Sequence, residues 1–138
     1  MGATALSDIR GPFIFRANIQ SHAAGDATAD HPVFRAPFPC RLRKVTIVPA
    51  ATLTGQATNN CNLNVKTWTD AATPVATERA NRDYGSGTNE VAMKARDLYA
   101  PATPPNMATG EYVSVERELV GTGLATPNIG VEVEIESQ

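Results

Sequence analysis

The chain has 138 residues, of which 42% are hydrophobic and 19% charged, with ten Gly and ten Pro. That is enough for one domain with a substantial core and too little Gly and Pro for a disordered chain. The net charge of −2 argues against a protein that coats nucleic acid with a basic face. No apolar run approaches the roughly 18 residues that cross a bilayer, so neither nucleic acid nor membrane is an expected partner.

The opening MGATALSDIRGP lacks the basic start and apolar stretch of a secretion signal, and Leu6 stands where an N-myristoylation motif needs Ser or Thr. Residues 1–12 are expected to form an N-terminal arm, with Leu6, Ile9 and Arg10 as a small anchor for a partner. From there period-two alternation takes over. Phe13, Phe15, Ala17 and Ile19 share one face of a first strand. SHAAGDATAD, residues 21–30, reads as a loop, and HPVFRAPFP is a short edge strand because its prolines bar a central position.

RLRKVTIVPA is rich in β-branched residues and ends at a Thr/Gly/Asn-rich loop. In CNLNVKTW, Cys61, Leu63, Val65 and Thr67 face inward, while Asn62, Asn64, Lys66 and Trp68 face outward. PVATERA is a weaker strand and NRDYGSGTN a loop. EVAMKARDLY contains good helix formers, yet it is confined between a Gly-rich and a Pro-rich turn. It is therefore expected to be one strand with Val91, Met93 and Ala95 in a row. After a proline-rich loop, EYVSVERELV is a strand along Val113, Val115 and Arg117. The final segment turns Ile129, Val131, Val133 and Ile135 inward and Glu132, Glu134 and Glu136 outward. About eight short strands without crossover helices give an antiparallel β-sandwich or jelly roll over residues 13–138.

Few residues invite chemistry. Gly85-Ser-Gly87 and Gly121-Thr-Gly123 complete no phosphate-loop motif. His22, His31, Asp26 and Asp30 cluster in sequence, but their spacing fixes no shared face. Outward glutamates stay solvated and ionised, whereas an acid catalyst must be held neutral. If the segments around residues 50–60 pair as a hairpin, Cys61 lies opposite Val48 and not Cys40, so free thiols are expected. No metal, cofactor or catalytic residue is expected. The charge is unevenly distributed: residues 1–69 carry seven Lys/Arg and three Asp/Glu, residues 70–138 five and eleven. The two halves either cancel within the fold or build a charged contact surface, with Glu132 and Glu134 meeting Arg41, Arg43 and Lys44. Trp68 is either a contact anchor or packed under the TDAATP loop.

The order of features resembles the capsid decoration (cement) proteins of tailed bacteriophages, small all-β virion proteins. The resemblance runs over roughly residues 13–136: FIFRANIQ, APFPCRLRKVTIVPA, the loop TGQATNN leading into NLNVKTWTD, ATPVATERA, and VGTGLATPNIGVEVEIE. Two turns depart from the family pattern: Leu124-Ala-Thr-Pro-Asn-Ile-Gly130 replaces a LADPGG-like run, and Thr109-Gly-Glu111 replaces AGD. The resemblance implies a structural protein made in the host cytoplasm that binds major capsid protein on the virion surface as a homo-oligomer, a trimer by preference. The alternatives are another virion component, such as a head-fibre base, tail or receptor-binding module, or a non-viral β-sandwich binding module.

Overall fold

The computed structural model describes residues 11–138; the proposed anchor residues Leu6, Ile9 and Arg10 lie outside them. Eleven strands follow in chain order: β1 (Pro12–Ile19), β2 (Ala29–Arg35), β3 (Cys40–Pro49), β4 (Leu53–Thr54), β5 (Asn60–Trp68), β6 (Ala76–Asp83), β7 (Asn89–Glu90), β8 (Arg96–Tyr99), β9 (Asn106–Met107), β10 (Tyr112–Val120) and β11 (Ile129–Ser137). Three of these, β4, β7 and β9, have only two residues, which leaves the eight longer strands that the alternation predicts.

Those eight pair from the outside of the sequence inward: β1 with β11, β2 with β10, β3 with β8 and β5 with β6, all antiparallel. The nested pairs roll into two sheets, β1-β11-β3-β8 with β9 beside β3 (sheet I) and β2-β10-β5-β6 (sheet II), while β4 and β7 form a small ribbon. This strand order is a jelly roll. Between the sheets lie Leu42, Val45, Ile47, Leu63, Val65, Val113, Val115, Val131, Val133 and Ile135, all buried, each contributing on the order of 1.5–3 kcal/mol. Phe13 meets Phe38 with ring centroids 6.0 Å apart, and Phe15 meets Phe34 at 5.0 Å. These contacts close the open side between edge strands β1 and β2. As expected, β11 is central in sheet I and β2, which carries Pro32, is an edge.

Two local expectations are corrected. Cys61 is not opposite Val48, because β3 and β5 belong to different sheets; Cys61 faces Leu119 and Val48 faces Gly130. Both thiols are free and buried all the same. Residues 90–99 are not one strand with an inward row. The chain breaks between β7 and β8, leaving Val91 58% and Met93 75% exposed. Met93 takes φ +60°, which costs on the order of 1–2 kcal/mol for a residue with a Cβ, and its N–H donates to Pro49 O at 2.8 Å. Glu90 draws the chain inward instead: its buried carboxylate accepts from Arg82 Nε (2.5 Å), Arg96 Nε (3.1 Å) and Tyr84 Oη (3.3 Å).

Candidate functional site

The register of β11 against its neighbours builds an ion-pair ladder on the outer face of sheet I. Glu132 stands opposite Arg16 on one side, while Glu134 and Glu136 stand opposite Lys44 and Arg41 on the other. Arg16 Nε lies 3.0 Å from Glu132 Oε1, Arg43 Nη1 2.9 Å from Glu136 Oε2 and Arg43 Nε 3.4 Å from Glu134 Oε1. Arg41 reaches Glu136 at 3.6 Å, and Lys44 reaches Asp97 at 3.9 Å and Glu134 at 4.0 Å. Of the candidate contact residues, Arg43 and Lys44 meet Glu134 within one chain and Arg41 meets Glu136, whereas Glu132 pairs with Arg16 and not with the three basic residues of β3. Together with Arg35–Asp70 and Lys66–Glu116, every described Lys or Arg of residues 11–69 pairs with an acid of the second half. The uneven charge of the sequence cancels in the fold.

The outer face of sheet II is built differently. Asn62, Asn64, Lys66 and Trp68 of β5 lie beside Glu118, Glu116, Ser114 and Tyr112 of β10. Asn64 Nδ2 donates to Glu116 Oε1 (2.8 Å) and to Glu118 Oε2 (2.9 Å), and Asn62 Nδ2 donates to Glu118 Oε2 (3.1 Å). Lys66 Nζ donates to Glu116 and lies 3.5 Å from Asp30 Oδ2. Burial presses the Glu116 carboxyl upward, but the hydrogen bonds from Lys66 and Asn64 and the Lys66 charge outweigh it and hold Glu116 below the usual range. Lys66 is raised for the reciprocal reason, against the cost of its own burial. The network ends at Trp68, whose Nε1 donates to Ser114 Oγ (2.8 Å), which in turn donates to Asp30 Oδ1 (3.0 Å). Over this end opens a groove of about 440 Å3 lined by Asp30, Pro32, Trp68, Pro74, Tyr112 and Ser114. Pro74 belongs to the turn after β5, so Trp68 borders that turn and is half-buried while remaining part of an open wall.

The loops at one end of the sandwich are tied by Arg117, which is 1% exposed. Its Nη1 donates to Asp26 O (2.5 Å), and its Nη2 to Leu124 O (2.7 Å), Ala23 O (3.2 Å) and Ala24 O (3.3 Å). No carboxylate among the described residues faces it in a salt bridge. Gly123, at φ +81°, lets the 121–128 turn pass against the Ala24 carbonyl, where a Cβ would collide. At the same end His22 and His31 come together after all, with Nε2 to Nε2 at 2.9 Å, and His22 Nδ1 lies 3.4 Å from Asp26 Oδ2. Their convergence depends on closure of the 20–28 loop, which His22 fixes by pairing with Thr126, a contact that no local spacing encodes. Arg117 left a signal, a charge in the inward row of Val113 and Val115. The groove left only Trp68.

What these groups can do chemically is limited. The Cys40 and Cys61 thiols are pushed up to about 11, mainly by burial, so they stay protonated at neutral pH. Glu116 is held ionised by Lys66 and Asn64, and among the described residues no three His, Cys, Asp or Glu converge as a metal site.

No family model matches the chain, and no curated protein matches it. Among solved structures, a chain in the structure of infectious bursal disease virus, Gx strain, overlays with 91% of this chain and 32% of its own length, at 11% identity and a TM-score of 0.41. The present chain thus spans about a third of that chain.

Proposed function

We propose that the chain is a structural module of a phage virion that decorates the assembled capsid, docking on the outer surface of major capsid protein subunits as a homotrimer. The observation that carries this reading is that the segments behind the resemblance to decoration proteins are those that build the closed jelly roll. FIFRANI lies in β1, the stretch after APFP in β3, NLNVKTW in β5 and VEVEIE in β11, while GTGLATPN is the turn held by Arg117. The protonated thiols and the ionised, hydrogen-bonded Glu116 further support a binding role over a catalytic one.

Such a module acts by mass action. A partner that binds only the assembled shell stabilises it by RT ln(1 + [L]/Kd), about 2.7 kcal/mol per site at a hundredfold excess over Kd, and a trimer multiplies this through effective concentration. The test is co-sedimentation with empty mature phage shells and, separately, with purified tails. Saturable binding to shells alone is expected; binding to tails, or to neither, overturns the reading. Deleting residues 2–11 should weaken shell binding while leaving the thermal melt of the isolated protein nearly unchanged, and equal losses in both would remove the arm from the contact.

A further inference from the structure

We infer that the groove beside Trp68 is a binding site for a neutral hexopyranose unit. This is independent of the capsid reading. The volume, about 440 Å3, falls within the roughly 300–1,000 Å3 of small-molecule sites, and its walls are aromatic and proline faces with polar groups on one side only. Two features of that polar side select the ligand.

The first is what the wall cannot give. The Trp68 indole N–H is already donated to Ser114 Oγ, and the Ser114 hydroxyl proton is already donated to Asp30. The indole therefore offers its ring and no donor. An extended proline-rich peptide, which docks in aromatic-lined grooves, needs several wall donors for its unpaired carbonyls; Trp68 and Ser114 have no proton left for one, and of the lining residues Tyr112 alone keeps a hydroxyl to give.

The second is what the wall still accepts. Asp30 is exposed, and its carboxylate meets Ser114 on Oδ1 and Lys66 near Oδ2, which leaves open part of the roughly four lone-pair sites that a carboxylate offers. Its remaining capacity calls for a ligand that brings hydroxyl or N–H donors together with an apolar face. A pyranose ring does both: its C–H face, slightly positive, lies on the negative π-face of an indole or phenol, while vicinal hydroxyls on its rim donate to one carboxylate. The same carboxylate repels an anionic sugar. Arg35, 5.4 Å from the Tyr112 ring centroid, fixes that second wall.

Trp68 is the sole tryptophan of the chain, so intrinsic fluorescence reads the groove directly. Titration with the methyl glycosides of glucose, galactose and mannose should give a saturable change for at least one, with a millimolar Kd, and methyl glucuronide should bind at least tenfold more weakly than its neutral counterpart. Asp30→Asn should weaken the responding sugar about tenfold or more, and Tyr112→Leu should also weaken it. Trp68→Ala, read by saturation-transfer NMR on the sugar, should abolish binding, with an unchanged circular dichroism spectrum required of each variant. No saturable response to any glycoside overturns the inference. So does an unaltered affinity in both Asp30→Asn and Tyr112→Leu, or tighter binding of a proline decapeptide than of any sugar.

Discussion

The two outer faces of the sandwich use similar side chains to opposite ends. On sheet I, Glu132, Glu134 and Glu136 pair with arginines and Lys44 at the rim of solvent, where each pair is screened and contributes little. On sheet II, Glu116 and Lys66 are largely withdrawn from water, and Asn64 between Glu116 and Glu118 is 1% exposed. The difference lies in length and neighbours. On sheet II the Asn62 and Asn64 amides and Lys66 donate to Glu116 and Glu118, whereas on sheet I the glutamates meet long, largely exposed arginines and Lys44. A ladder of long side chains can be altered with little consequence, while a mat of short ones holds its charges in place and keeps the Trp68 wall oriented through Ser114 and Asp30.

The largest effect belongs to the layer that both faces cover. Val133→Asp places an unpaired charge in the fully buried row of β11 and should leave no cooperative unfolding transition by circular dichroism. Next, Lys66→Met on sheet II removes a charge-assisted hydrogen bond from a nearly buried carboxylate and should cost about 1.5–3 kcal/mol in urea unfolding. Because Glu116 is held below its usual range, its contribution to stability is present above the ordinary carboxylate pKa and is lost as pH falls through the lowered value. In Lys66→Met the burial of Glu116 is no longer offset by the Lys66 hydrogen bond and charge, so this acid-dependent loss should shrink.

A smaller effect sits where the sheets meet at the tied end. Burial, and then the neighbouring His22, lower the pKa of His31, with Asp30 opposing. The folded state therefore resists protonation, and the stability from neutral His31 is present above its ordinary pKa near 6.5 and declines as pH falls below it. Melting temperatures taken from pH 7.5 down to pH 5 should fall in the wild type, and His31→Gln should flatten the slope. The smallest change is expected on sheet I. Glu132→Gln should cost about 0.2–1 kcal/mol, and that difference should vanish in high salt; a loss as large as that of Lys66→Met would mean that the two faces are not distinct.

Strand periodicity was legible wherever one face is buried: β11 and β5 stood out because alternate positions carry Ile, Val, Leu or Cys. It failed at residues 90–99 because the energetics there belong to a charged residue. Glu90, not Val91 or Met93, goes inside, and the ion pairs that hold it come from β6 and β8. The candidate charged residues were recognisable by type, but their partners were set by the β1–β11 and β3–β11 registers, which link positions about a hundred residues apart. Trp68 was placed on the outer face of β5, yet the groove also needs Pro74 from a turn and Pro32 from an edge strand, a convergence that strand pattern does not reveal.

Arg117 carries a further consequence for how the protein tolerates change. Its guanidinium is held by main-chain carbonyls of residues 23, 24, 26 and 124, so the identity of those side chains matters less than the lengths of the two loops that present them. Substitutions in the exposed Ala23 or Ala24 can drift, whereas Leu124 also packs in the core, and an added or deleted residue in either loop would withdraw an oxygen from a buried cation. Foreign peptide epitopes for display would therefore fit poorly between residues 22 and 27.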